Sequence, residues 1–258
     1  MTAFAAQTAL VFGRQARAAA RDPGPFFVLP MLPALLMTVV FTALFDRIAE
    51  VAGLASTNYD EYLAPGVVVL VALLGAGATS SSLAADVRSG YLERLRLLPI
   101  NVGSILVGRT LFEGARLLPG VAIVVAVGFA FGAHAENGLA GIAVVVVLVA
   151  LLGIAYSALF YIVAILSQDP QTPFTLQPVG LPLAFLSSAL VPLAVMPAWS
   201  EAIARLNPVT IVVDGAREAM LGELLSEELL AAGTVLVAWI IVGHFFAWAT
   251  LTLHLNRS

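Results

Sequence analysis

"LLPGVAIVVAVGFAFGAHAENGLAGIAVVVVLVALLGIAYSALFYIVAILSQ", residues 117–168, runs for 52 positions with only His134 and Glu136 to interrupt its apolar character. A helix rising ~1.5 Å per residue needs about 20 largely apolar residues to cross a ~30 Å hydrocarbon core. The block is therefore too long for one crossing and right for two. The polar turn "GAHAENG" at 132–138, with glycine at each end, divides them.

The same test applied outward finds an apolar chain throughout. Of 258 residues 60% are apolar and 11% charged, against roughly a quarter charged in soluble domains, and the mean hydropathy is +1.00. Uncharged runs at 23–45, 63–85, 170–196 and 229–255 join third and fourth crossings at 102–134 and 137–167, the third with a cytoplasmic extension. The expectation is one all-α integral membrane domain over 1–258 with six crossings. The fifth run contains Pro170, Pro173, Pro178, Pro182 and Pro192, so it cannot be one undisturbed helix.

Cysteine is absent and all twelve basic residues are arginine. Disulfides and cysteine-based metal or redox sites are excluded, and no metal site is expected. A P-loop needs a lysine on the nucleotide phosphates, so this chain cannot hydrolyse ATP by that route and is not expected to be an enzyme. Nothing in the charge pattern suggests a nucleic-acid partner.

Cytoplasmic segments beside crossings accumulate arginine. With both termini inside, the cytoplasmic segments hold Arg14, Arg17, Arg21, Arg88, Arg94, Arg96, Arg109, Arg116 and Arg257, while the external ones hold Arg47, Arg205 and Arg217. The first apolar run begins after twenty-odd residues and is of spanning length, which argues against a cleavable signal. Residues 1–22 before it read as a surface helix. At 100° per residue Phe4, Val11, Phe12, Ala16 and Ala19 share one side, and Arg14, Arg17 and Arg21 the other, turned toward lipid phosphates. A frayed tail that merely obeys the charge rule is the alternative.

"DVRSGYLERLRLLPIN", 86–101, is then a cytoplasmic loop between the second and third crossings. Ser89 and Gly90 suit a helix start, Glu93 suits its first turn, and Pro99 ends it. The helix expected over 90–98 puts Tyr91, Leu92, Leu95 and Leu98 on one face, with Glu93 and Arg96 opposite and Arg94 at the flank. It can lie on its own membrane or meet a soluble partner, and Leu97 on the polar side favours the partner. Beyond it Arg109, Glu113 and Arg116 fall at i,i+4 and i,i+3, read as solvated pairs worth a few tenths of a kcal/mol.

"MPAWSEAIARLNPVTIVVDGAREAMLGE", 196–223, is external. Pro197 opens one helix running to Leu206, Asn207-Pro208 cap and start a second, and Gly222 stops it. At ~1.5 Å per residue they are roughly 15 and 22 Å long: too short to span, and too apolar for a free loop. Re-entrant helices over 197–223 satisfy both facts if they are buried or line a cavity. Asp214, Arg217 and Glu218 sit on adjacent turns, either as gating chemistry or as an Asp214–Arg217 pair that neutralises itself.

These two stretches, in this order, resemble the permease subunits of ABC-2-type exporters, especially the daunorubicin-resistance kind, and the resemblance covers essentially the whole chain. It implies that Tyr91, Leu92, Glu93, Arg94 and Arg96 belong to a coupling helix seated in a separately encoded ATPase, which holds the ATP and Mg2+. This chain would bind no cofactor. It implies external re-entrant helices, carrying Trp199, Asn207, Pro208, Asp214 and Arg217, over the exit of the pathway. It also implies a second permease subunit, identical or not, with the second and fifth helices at the interface and pathway: Thr79, Ser80, Phe185, Ser187 and Ser188. Gly75, Thr79 and Ser82 along one side of the second run permit close helix approach. The cargo implied is hydrophobic or amphipathic, a drug or lipid, moved out across the plasma (inner) membrane. A polysaccharide or lipid-linked glycan is the alternative, and an ion-coupled secondary transporter the competing class, with His244 the only titratable candidate in a helix middle.

Overall fold

The computed structural model describes residues 2–28, 31–33, 35–37, 39–40, 59–96, 99–130 and 134–257. The expected first crossing at 23–45, the external loop after it, and Leu97 and Leu98 at the end of the coupling helix lie wholly or largely outside these. The side chain of Arg96 does too.

Every element among the described residues is helical. Helix α1 (Thr2–Arg21) leads to a π-helical turn at Gly24–Val28. The second apolar run forms two helices, α2 (Tyr59–Gly75) and α3 (Ala78–Arg88), where the sequence suggested one. Gly77 sits between them at φ +122°, a conformation that only glycine adopts readily. Gly90 at φ +67° turns the chain after α3 into α4 (Tyr91–Arg96), a short helix before the third crossing. Helix α5 (Val102–Ala130) begins where the Asn101 side chain accepts the Gly103 N–H at 2.8 Å.

Helix α6 (Gly138–Ser167) is the hub, packed against α5, α2, α3 and two later helices. The proline-rich fifth run is broken, as its composition requires, into α7 (Thr172–Leu176), a 3-10 turn at Gln177–Val179, α8 (Gly180–Phe185) and a 3-10 turn at Leu193–Val195. Helices α9 (Ala198–Leu206) and α10 (Pro208–Leu221) follow, then α11 (Glu227–Arg257). Among the described residues four spans are long and apolar enough to cross a membrane: Tyr62–Arg88, Val102–Ala130, Gly138–Ser167 and Glu227–Asn256.

Two apolar cores hold these helices. The outer one gathers Leu63 to Leu74 of α2 and Ala76 just after it with the middle of α6, the outer half of α5, α10 and Leu236 of α11. The inner one gathers Leu83, Val87, Leu92, Ile105, Tyr161, Ile165, Leu251 and Leu255. Between them, on the second and third crossings, lies a polar layer of Thr79, Ser80, Arg109, Glu113 and Arg116, all buried.

Candidate functional site

The inner site is built around Asp86, near the end of α3. Its carboxylate accepts from Arg14 Nη1 at 2.7 Å and Nη2 at 2.5 Å, and from Arg109 Nη2. Arg109 is wholly buried and also donates to Ser82 Oγ at 2.7 Å and to the Thr79 carbonyl at 3.4 Å. One acid thus joins α1, α3 and α5. Arg14 also lies 4.3 Å above the Tyr91 ring, which ties α1 to α4. Its hydrogen bonds to Asp86 push the guanidinium pKa up, against the desolvation that opposes them.

One helical turn further along α5 a second set is assembled. Glu113 accepts from Arg116 Nε at 2.9 Å and Nη2 and from the Thr79 hydroxyl, while Arg116 also donates to the carbonyls of Gly75 and, at 3.1 Å, Phe26. The reading of Arg109, Glu113 and Arg116 as solvated pairs is therefore corrected: they are 0%, 0% and 3% exposed, and Arg109 bonds Asp86 in place of Glu113. The physical reason is that Phe26, Gly75, Thr79 and Asp86 surround them with acceptors and a hydroxyl. Buried charges persist only when so paired and hydrogen-bonded.

Helix α1 lies along α5, with Thr8, Gln15 and Ala19 buried. Gly108 permits the approach, since a Cβ there would meet the Thr8 carbonyl and the Val11 side chain, both at 2.7 Å. Gln7 spans the base of the loop, donating to the Pro99 carbonyl at 3.0 Å and accepting the Asn101 N–H at 3.1 Å. Arg14 therefore spends its guanidinium on Asp86 while its side chain stays 43% exposed, and Arg17 and Arg21 are exposed as well. On α4, Leu92 is buried, Tyr91, Glu93 and Leu95 are partly exposed and Arg94 is exposed. A cavity of about 210 Å³ opens between α1 and α4, lined by Leu10, Val11, Arg14, Tyr91, Leu95 and Arg109 among others.

The outer site centres on Ser188. Its hydroxyl donates to Asp214 Oδ1 at 2.7 Å, and its carbonyl accepts from Tyr62 Oη at 2.7 Å and Arg217 Nη2 at 3.0 Å. Arg217 pairs with Asp214 at 2.8 Å and covers the Tyr62 ring at 3.9 Å. The pair is thus half-buried and not isolated: it ties α2 to α10 through the segment after α8. Asn207 caps α10 by accepting the Val209 N–H at 2.9 Å, and its amide donates to the Leu183 and Leu186 carbonyls at 2.7 and 2.6 Å. Pro208 fills the first helical position. Trp199 is exposed at 66% on α9.

Replacing Asn207 by alanine removes a cap worth ~1 kcal/mol and strands two carbonyls at ~1–3 kcal/mol for each group left truly unsatisfied. A fall in the thermal unfolding midpoint is expected, with Asn207→Asp recovering the cap alone.

The remaining candidates divide. Thr79, Ser80, Ser187 and Ser188 are buried within this one chain, whereas Phe185 is 48% exposed. His244 turns its Nδ1 to the Ile240 carbonyl at 3.1 Å and its ring edge-on to Tyr161. The residues missed by sequence reading are Asp86 as the shared acid, Tyr62 in the outer cluster, and Gln177, which donates to the Leu74 carbonyl. Their contacts come from between 23 and 155 positions away, so no local spacing announces them.

Crossing-length apolar helices around an internal polar layer, with a short helix between the second and third crossings beside the N-terminal one, define a polytopic membrane protein. Residues 6–221 match the sequence model of the ABC-2 type transporter family, and the chain belongs to that family. It is 27% identical over 237 residues to the daunorubicin resistance ABC transporter permease protein DrrB1 of Streptomyces coeruleorubidus, an alignment covering 90% of this chain and 81% of the relative. It is also similar to putative transport permeases ycf38, at 29% identity over 206 residues in Cyanophora paradoxa and 28% over 189 in Porphyra purpurea. Each of those covers 72% of this chain and 65% of the relative. The chain is an ABC-2 type transport permease.

Proposed function

We propose that this chain is the membrane half of an exporter that moves a hydrophobic or amphipathic molecule, drug-like or lipid-like, outward across the plasma membrane. Separate ATPase subunits would bind ATP and Mg2+ and dock at α4 and α1, with both chain termini cytoplasmic. A second permease subunit would complete the pathway beside the second and fifth crossings.

The observation that carries this reading is the mounting of α4. It hangs from α3 by one glycine turn, buries Leu92 in the inner core, leaves Arg94 exposed, and is tied to α1 through Tyr91 and Arg14. A helix held this way cannot move without moving α1 and α3. The similarity to a daunorubicin resistance permease supports an apolar cargo, as does the charge balance of the polar layer together with Asp86: Arg109 and Arg116 against Asp86 and Glu113.

The test is co-expression with the ATPase partner and purification on the permease. Glu93→Lys or Arg94→Glu is expected to weaken ATPase retention about tenfold, ~1.4 kcal/mol, with no change in the melting of the permease alone. ATP-driven accumulation of daunorubicin in proteoliposomes reads the cargo. Stimulation by a lipid-linked glycan and none by daunorubicin replaces the cargo and keeps the machine. Full transport by the isolated chain in ATP-free vesicles, driven by an ion gradient, overturns both.

A further inference from the structure

The second crossing is two rods with a joint. In a continuous helix the Leu74 and Gly75 carbonyls accept from the N–H groups four residues on. Here they accept from the side chains of Gln177 and Arg116, while Gly77 at φ +122° breaks the ladder. The two cores part at the same level, the outer one ending on this strand of chain at Ala76 and the inner one beginning at Leu83.

Arg116 touches every piece that meets there. It donates to Gly75 at the end of α2 and to Phe26, and it holds Glu113, which in turn accepts the Thr79 hydroxyl at the start of α3. A long cation with several donors suits this place, because it satisfies carbonyls on one side of the break and an acid on the other. Above the break α2 is fixed by α6, α5, α10 and the Tyr62 contact. Below it α3 continues into α4 through a single turn, and is held to α1 and α5 by the Asp86 carboxylate and to α6 by the inner core.

We propose that this break is a pivot and that Arg116 is the residue positioning it, so that displacement of α4 tilts α3 about Gly77 while α2 stays fixed in the outer core. The proposal rests on the exporter reading above, which supplies the force on α4. An 11-residue rod is about 16 Å long. A ~20° change of kink therefore carries its far end about 6 Å.

Because the chain has no cysteine, spin labels can be placed at will by cysteine substitution. One pair at Ser89 and Ser167 reads α3 against α6, and a second at Ala64 and Leu139 reads α2 against α6. Both are measured by pulsed electron resonance in nanodiscs, on the chain alone and with its ATPase, before and after trapping with ATP and vanadate. The expected result is a shift of about 6 Å in the inner pair with the outer pair unmoved. Arg116→Met broadens the inner distribution even without nucleotide, and Arg116→Lys recovers part of the wild-type width. Should Arg116→Met fail to fold, Gln177→Leu removes only the Leu74 contact and is expected to broaden the inner pair to a smaller degree.

Inner and outer pairs that shift together overturn the pivot, and so does an inner distribution that neither variant changes. The nucleotide-free comparison needs no ATPase. A wild-type chain that retains no ATPase and ignores ATP therefore counts against the exporter reading, separately from the joint.

Discussion

Asp86→Asn is expected to be the most damaging polar substitution in the chain. The carboxylate balances Arg109, whose side chain is fully buried, and asparagine keeps the shape but not the charge. Breaking a buried pair by removing one partner costs about 3–5 kcal/mol, because the other charge is left uncompensated. That is a large part of a typical stability of ~5–15 kcal/mol. The measurement is the thermal unfolding midpoint and monodisperse yield in detergent. Asp86→Asn combined with Arg109→Met should recover a large share, since the stranded cation is then gone. Arg14→Ala, touching the same carboxylate from a side chain 43% exposed, is expected to cost under about 1 kcal/mol. A melting curve for Asp86→Asn that overlays the wild type would show that Arg109 is not balanced by this acid.

Gly66→Ala should be nearly as severe, for a steric reason. A Cβ at Gly66 would lie 1.9 Å from the Ala189 carbonyl oxygen and 2.6 Å from its carbon. Both surfaces are backbone, so no rotamer change relieves the clash, and α2 must separate from the segment that carries Ser188. Overpacking of this kind costs typically ~1–3 kcal/mol. Here it also pulls Tyr62 and Ser188 apart, and with them the outer cluster. The readout is a single cysteine at Ser187, which is fully buried. It should be unreactive toward an impermeant maleimide in the otherwise unchanged chain and labelled when Gly66→Ala is added. Equal protection in both would show that the outer contact tolerates the methyl group.

What sequence alone reveals here is what local rules govern. Span lengths follow from uncharged runs, and four spans stand at the expected places. Proline spacing tells that the fifth run is broken, and Asn207-Pro208 and Gly222 mark the ends of α10 to the residue. The Asp214–Arg217 pair is an i,i+3 contact and was equally visible. The polar layer was not. Arg109, Glu113 and Arg116 have the same spacing whether they face water or protein, and what buries them comes from Phe26, Gly75, Thr79 and Asp86 on other elements. The joint at Gly77 had a signal, the polar stretch "GATSSS" inside an apolar run, but small residues in a crossing also serve plain close packing. Tyr62 joins the outer cluster across 126 positions, a distance at which no motif speaks.

Helix α1 is clasped to the bundle by a charge that the interior does not need. The two buried arginines already have their two acids, so Arg14 is a surplus cation shared at the rim. An arginine keeps its charge in base, so base leaves that clasp alone, whereas an anion beside the membrane competes with Asp86 for it. How tightly the N-terminal helix closes over the bundle is then expected to vary with salt and with the charge of the headgroups around it, which would make the composition of the membrane itself an input.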